Sequence, residues 1–361
     1  MAVSRLSLVR CAAVLIVLCP ALAAADPPWQ VTSADGKSSV SVGFLAQGQA
    51  EWLGTADGSS TSKNLFLRRM RLMAGGKINS KVSFFLETDS PNLGKGTTDG
   101  KKNQEVVFLQ DVILTYTVRP EFQIDGGMLL IPGSHNAEQS AATLLPVDYG
   151  PYTFLASDPT DSRVGRDYGV QARGYILKHV EYRLGAFQGH RDVNALAPFR
   201  YVGRVVWYPF EAETGFFYTG TTLGSRRILA VGASVDHQGD YNARAADLFV
   251  DQPMNHGDGL TLQADYIRYD GGATFVALPQ QDAWLVEAGY YAHQLKVSPF
   301  VQLATREFAG GLSAHERRFQ AGAAYWANGH RLSLKVGIGR QMKDGAPDRT
   351  QANVQMEVFF Y

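Results

Sequence analysis

The sequence predicts an all-β protein, a transmembrane antiparallel β-barrel of sixteen strands. Three observations lead to this fold class. The chain opens with an export signal, it alternates apolar and polar side chains over most of its length, and its connections alternate between short and long.

Residues 1–25 have the pattern of a signal peptide. Two arginines precede an apolar run from Cys11 to Cys19, and three alanines form a small-residue cleavage site before Asp26. The run is too short for a spanning helix, which needs roughly 20 residues. We therefore expect residues 1–25 to be removed, residues 26–37 to form a periplasmic N-terminal segment, and residues 38–361 to form the barrel.

Composition excludes several classes of protein. Both cysteines lie in the signal, so the exported chain can form neither a disulfide nor a thiolate metal site. The 34 basic and 34 acidic residues balance, which gives no indication of a nucleic-acid partner. After the signal no apolar stretch reaches the roughly 18 residues of a helical span. If the chain enters a membrane, it does so as strands.

The last segment shows the two-residue period clearly. Its even positions from Ala352 to Phe360 are apolar, and its odd positions from Gln351 to Glu357 are polar. Sixteen segments of this kind can be marked, at residues 38–52, 63–78, 80–90, 105–118, 121–131, 166–178, 180–190, 199–209, 226–238, 243–252, 258–270, 281–294, 296–307, 315–328, 330–342 and 349–361.

Residues 214–224 could be counted as one more strand. Bacterial single-chain barrels have even strand numbers, so we assign this segment to an extended periplasmic connection instead. Because lipid offers no partner to a bare N–H or C=O, the first and last strands should pair and close the sheet. A ring of sixteen strands is wide enough to leave an aqueous channel.

Several segments resemble the phosphate-selective porin family, the O/P type of bacterial outer-membrane channels. They are LFLRRMRLMAGGKI (65–78), FLETD (85–89), DVILTYTVRPEFQIDGGMLLIP (111–132), GRDYGVQARG (165–174), YRLGAFQG (182–189), YVGRV (201–205), WLVEAGYY (284–291), YWANGHRLSLKVGIGR (325–340) and QMEVFFY (355–361). The resemblance implies a trimer of water-filled barrels in the outer membrane, each with a constriction loop after strand five. Here that loop would run from Gly133 to Val164.

The alternation of apolar and polar residues indicates which charged side chains would line the pore. The basic candidates on the polar faces of their strands are Arg69, Arg71, Arg173, Arg183, Arg204 and Lys335. The acidic candidates on the constriction loop are Glu138, Asp148, Asp158 and Asp161. A basic wall opposite an acidic loop would set up a transverse field that orients small polar solutes.

The sequence is compatible with two kinds of solute selectivity, one for phosphate and one for a broader range of ions and hydrophilic solutes. Closely spaced guanidinium groups can bind a phosphate, as the resemblance implies. Carboxylates at Glu87, Asp89, Asp111, Asp265 and Glu357 are also expected to face the lumen, which favours a broader channel for ions and hydrophilic solutes.

Arg68 conflicts with the simple alternation. If Phe66, Met70 and Leu72 face lipid, so does Arg68, and an arginine is costly on the lipid face near the middle of the bilayer.

No catalytic motif is found, and the eight histidines are scattered along the chain, so we expect neither an enzyme nor a cofactor or metal site. An adhesin or membrane anchor, or an outer-membrane lipid hydrolase, remains as an alternative.

Overall fold

The computed structural model describes residues 29–104, 107–153, 158–311 and 313–361. Within them the strands are β1 (Trp29–Thr32), β2 (Ser39–Gly54), β3 (Thr61–Lys77), β4 (Val82–Asp89), β5 (Phe108–Arg119), β6 (Phe122–Leu130), β7 (Arg166–Ile176), β8 (Val180–Phe187), β9 (Arg200–Trp207), β10 (Ile228–Gln238), β11 (Tyr241–Pro253), β12 (Gly259–Asp270), β13 (Gln281–Tyr291), β14 (Val297–Phe308), β15 (Glu316–His330), β16 (Leu332–Lys343) and β17 (Arg349–Phe360).

Strands β2 to β17 form a closed antiparallel ring. Each pairs with the next along the chain, and β17 pairs with β2 through partners such as Val354 and Ala50. The predicted barrel of sixteen strands is confirmed, and each predicted segment overlaps one barrel strand with ends that agree within a few residues.

The N-terminal part of the chain adds one short strand outside the ring. Residues Trp29–Thr32 pair antiparallel with the first residues of β2, from Ser39 to Val42. This strand lies in the segment 26–37, which the sequence analysis assigns to a periplasmic N-terminal segment. The predicted signal peptide, residues 1–25, lies outside the described residues.

The two-residue period separates the inside of the barrel from the outside. On β12, Thr261, Gln263 and Asp265 are buried toward the lumen, whereas Leu262 is exposed on the outer surface. Successive side chains of a strand point to opposite faces, so an apolar outer face and a polar inner face follow directly from the sequence.

The connections differ between the two ends of the barrel. The end that carries Ser39 and Phe360 is called the termini end, and the opposite end is called the loop end. Most connections at the termini end are short, such as residues 78–81, but residues 208–227 form a long one. At the loop end, β10 and β11 are joined by only Gly239 and Asp240, with Gly239 at φ 56.

In the part of the chain that the structure describes, helical structure is confined to connections. Helix α1 (His135–Glu138) follows β6, and single 3-10 turns occur at Asp158–Thr160, Val193–Ala195, Asn255–Gly257 and Ala309–Gly311. Among the described residues, none of these helices has the length and apolar character needed to cross a bilayer.

The assignment of the outer face predicts how arginine substitutions on it change the free energy of unfolding. Val336 lies on the outer surface near the middle of β16, and Thr350 lies exposed at the loop end of β17. Val336→Arg should lower the free energy of unfolding by about 2–4 kcal/mol, and Thr350→Arg by about 0–1 kcal/mol, because the cost depends on depth in the bilayer. Urea titration in lipid vesicles measures both, and equal costs would contradict the assigned outer face.

Candidate channel and its charged lining

Two segments enter the lumen and meet there. Residues 131–153 and 158–165, here the inward loop, follow the fifth barrel strand, and residues 208–227, here the inward connection, come from the termini end. Tyr218 donates its backbone N–H to the carbonyl of Glu138 (2.9 Å), and its own carbonyl accepts from the N–H of Ser140 (2.8 Å). The segment 214–224 is thus a connection, as predicted, but it is folded inside the barrel.

Apolar and polar contacts together hold the inward loop against the wall. Ala141, Leu144 and Leu145 are buried in the interior. The carbonyl of Leu144 accepts a hydrogen bond from Lys335 Nζ (2.6 Å), and Asp265 Oδ1 accepts one from the N–H of Asn136 (3.0 Å). The loop therefore packs on several strands and does not span open water.

Asp148 joins the inward loop to β3. Its carboxylate accepts from Arg68 Nε (2.7 Å) and from Arg69 Nη2 (2.7 Å), and Arg69 also lies 5.1 Å from the ring of Tyr149. Burial opposes ionisation of Asp148, but the two guanidinium groups outweigh it and hold the pKa of its carboxyl well below the usual value. Asp148 is thus an anion across the physiological range.

Arg68 does not face lipid, because its side chain reaches Asp148 of the inward loop. The register of β2 and β3 shifts between Gln47 and Gly48, so that Gln47 pairs with Arg69 while Gly48 pairs with Leu67. Arg68 is the extra residue of this bulge, which lets two successive arginines reach the same carboxylate. The same shift leaves Phe66 buried.

Arg71 is fully engaged by neighbouring strands. Its Nη1 contacts Glu87 (2.9 Å), its Nε contacts Asp89 (3.1 Å), and its Nη2 approaches Gln110 (3.5 Å). Every nitrogen of this guanidinium therefore has a partner on the wall.

Glu138 lies between two arginines on the opposite side of the lumen. It is 2.5 Å from Arg183 Nη1 and 3.1 Å from Arg204 Nε, and all three side chains are almost completely buried. Arg204 also binds Asp247 (2.6 Å), and Arg183 binds Glu181 (2.8 Å). The cluster couples the inward loop to three strands.

The other predicted site residues take different positions. Arg173 binds Asp125 (2.6 Å) on the neighbouring strand, and Lys335 lies 4.0 Å from Glu357. Asp161 is exposed and pairs with His190, away from the wall arginines. Asp158 begins a 3-10 turn, and its side chain is outside the described part of the structure.

The acidic side chains of the inward loop are in direct contact with the wall arginines at Asp148 and at Glu138. Because Asp148 and Glu138 bind arginines directly, the expected field between two separated charged surfaces does not hold there. Asp148 and Glu138 are instead counter-ions that dock the loop.

Sequence reasoning missed the contact between the inward loop and the inward connection. His135 Nε2 lies 2.9 Å from Glu213, and its ring stacks on Phe249 (4.0 Å) and Tyr218 (5.0 Å). Burial opposes protonation of His135, but Glu213 outweighs it and raises the pKa of the imidazole above its usual 6.5. Among the described residues no cluster of side chains could hold a metal ion.

The His135–Glu213 contact gives a pH prediction. A raised histidine pKa contributes stability that is complete below pH 6.5 and is lost as the pH rises through the folded-state value. Glu213→Gln should therefore lower the unfolding free energy by about 1.5–3 kcal/mol at pH 5, and less at alkaline pH. The matched change Asp161→Asn, in an exposed pair with His190, should cost about 0–1 kcal/mol. A Glu213→Gln effect that stays constant from acid to alkaline pH would argue against this ion pair.

The chain is similar to known channels in fold and family. It superposes on OmpF of Salmonella typhi with TM-score 0.63 and 14% identity, over 92% of this chain and 100% of that one. It also matches an anion-selective porin from Comamonas acidovorans with TM-score 0.62 and 11% identity, over 90% of this chain and 100% of that one. A third match is the outer-membrane channel DcaP of Acinetobacter baumannii, with TM-score 0.61 and 11% identity, over 91% of this chain and 99% of that one.

At these identities the structural likeness shows the fold, and the family rests on separate evidence. No curated protein matches the chain significantly. The family model described as phosphate-selective porin O and P matches residues 50–290, well over half of the sequence. The chain therefore belongs to the phosphate-selective porin O and P family of bacterial outer-membrane porins.

Proposed function

We propose that this porin passes small hydrophilic solutes and ions without a dedicated phosphate site. The observation that carries the proposal is that four buried arginines of the lumen are already bound to carboxylates. Arg69, Arg71, Arg183 and Arg204 each contact at least one acidic side chain within 3.1 Å.

Phosphate would have to displace those carboxylates. A buried arginine that already has two or three charge-assisted hydrogen bonds gains little by exchanging one anion for another, and the released carboxylate would remain buried and unpaired. Among the described residues, fourteen buried carboxylates also outnumber eight buried arginine and lysine side chains. The lining therefore carries no excess of positive charge that would concentrate anions.

We also propose how the chain is oriented in the outer membrane and how it assembles. The termini end faces the periplasm, the loop end faces the cell exterior, outer-membrane lipid surrounds the barrel, and three copies assemble as a homotrimer. The family and the pattern of short and long connections support this arrangement. We propose no catalytic reaction, no cofactor and no nucleic-acid partner for this protein.

Export through a cleaved signal is also part of the proposal. The protein purified from outer membranes should begin near Asp26, because the small residues before it form the cleavage site. N-terminal sequencing measures this directly, and a chain that retains Cys11 and Cys19 would contradict it.

The ion pairs predict how selectivity responds to mutation. In a salt gradient the wild type should show no anion preference, with a reversal potential at zero or on the cation-selective side, and millimolar phosphate should leave the chloride current unchanged. Arg69→Ala combined with Arg71→Ala exposes Asp148, Glu87 and Asp89, so permeability should shift severalfold toward cations.

Arg340 provides the control for this experiment. It is an exposed arginine on the outer face that pairs with Asp348 (2.8 Å), so Arg340→Ala should leave the reversal potential unchanged. Strong anion preference in the wild type with block by phosphate would refute the proposed selectivity. An unchanged reversal potential in the double variant would show that Arg69 and Arg71 do not line the conducting path.

A further inference from the structure

A cavity of about 290 Å³ lies at the termini end of the lumen. Its apolar walls include Phe85 of β4, Phe216 and Phe217 of the inward connection, and the C-terminal residue Tyr361. Thr115 and Arg173 contribute its polar side. We call this cavity the aromatic vestibule. Its volume is at the lower end of the range of small-molecule sites, roughly 300–1,000 Å³.

The rings of the aromatic vestibule hold one another edge to face. Phe85 lies 5.8 Å from Phe217 at 67° and 5.8 Å from Tyr361 at 78°, and Phe216 lies 5.1 Å from Phe217. Gly75 makes room for the chain end, since a Cβ there would lie 2.0 Å from the Tyr361 hydroxyl oxygen. The rings thus come from three separate parts of the chain and form one preorganised apolar wall.

Arg173 differs from Arg71, Arg183 and Arg204 in its hydrogen bonding. It uses Nε to bind Asp125 (2.6 Å), and among the described residues its two Nη atoms have no hydrogen-bond partner. By contrast, both Nη atoms of Arg71, Arg183 and Arg204 are bound to protein oxygens. The Arg173 guanidinium also lies 5.5 Å from the ring of Phe216, at the edge of the apolar wall.

We propose that the aromatic vestibule binds planar aromatic carboxylates as they pass through the channel. This inference rests on the proposed porin function and names a preferred class of solute for it. Two N–H donors of a guanidinium match the two oxygens of a carboxylate, and the surrounding rings pack against an aromatic body. Inorganic phosphate can use the donors but leaves the apolar wall without a partner, so it binds more weakly.

The experiment measures binding of benzoate to the purified full-length barrel in detergent by saturation-transfer NMR, with propionate and inorganic phosphate as comparison ligands. Benzoate should bind more tightly than either. Phe217→Ala should weaken benzoate binding about fivefold, because one aromatic contact is lost. Arg173→Lys keeps a positive charge beside Asp125 but loses the planar pair of donors, and should weaken it about tenfold.

Phe210→Ala is the matched control, since Phe210 belongs to the same inward connection but packs under Arg227 outside the vestibule. It should leave benzoate binding unchanged. Equal binding of benzoate and propionate, or a benzoate affinity that neither Phe217→Ala nor Arg173→Lys alters, would overturn the site.

A parallel recording of potassium chloride current through planar bilayers keeps the two hypotheses apart. Current without selective benzoate binding would remove the vestibule and leave the porin function intact. Selective binding that depends on Phe217, without any current, would support the site and refute the channel.

Discussion

The structure depends on the requirement that every backbone N–H and C=O inside a bilayer has a partner within the protein. An open sheet cannot meet it, because its two edge strands would present unpaired groups to lipid. Here β17 pairs with β2 along most of its length, which joins residues about 300 positions apart in the chain. Closure in turn creates an interior, and the two-residue period supplies polar side chains to line it.

Two segments of the chain occupy part of the interior. The inward loop and the inward connection enter from opposite ends and pair with each other near Glu138 and Tyr218. Charges that face this partly dehydrated space cost free energy unless they are paired, which explains why loop carboxylates bind wall arginines directly. The same ion pairs therefore dock the loop and neutralise charges of the lining, and the proposed lack of phosphate selectivity rests on this neutralisation.

Much of the barrel could be predicted from the sequence because strand faces follow a local rule. The sixteen strands, the inward direction of Lys335 and Asp265, and the long segment after strand five all come from period and spacing. The Arg68 bulge could not be predicted, since one extra residue changes the face without changing composition.

The path of residues 208–227 into the lumen could not be predicted for another reason. The alternation of apolar and polar residues describes strands and gives no information on the path of a segment outside them. Its one signal was the run Phe216, Phe217 and Tyr218, which is unusually aromatic for a turn in water. The ion pairs of Glu138 and Asp148 depend on the loop conformation, so their partners could not be predicted from the spacing of residues.

The whole account rests on closure of the ring of strands, and a disulfide between the two closing strands tests this closure most directly. Ala50 and Val354, and the adjacent pair Gln49 and Gln355, are direct partners on β2 and β17. Residues 26–361 contain no cysteine, so at least one of the double variants Ala50→Cys with Val354→Cys and Gln49→Cys with Gln355→Cys should oxidise to an intramolecular disulfide in the folded state. Formation of only intermolecular disulfides, or of none in either variant, would contradict a closed barrel.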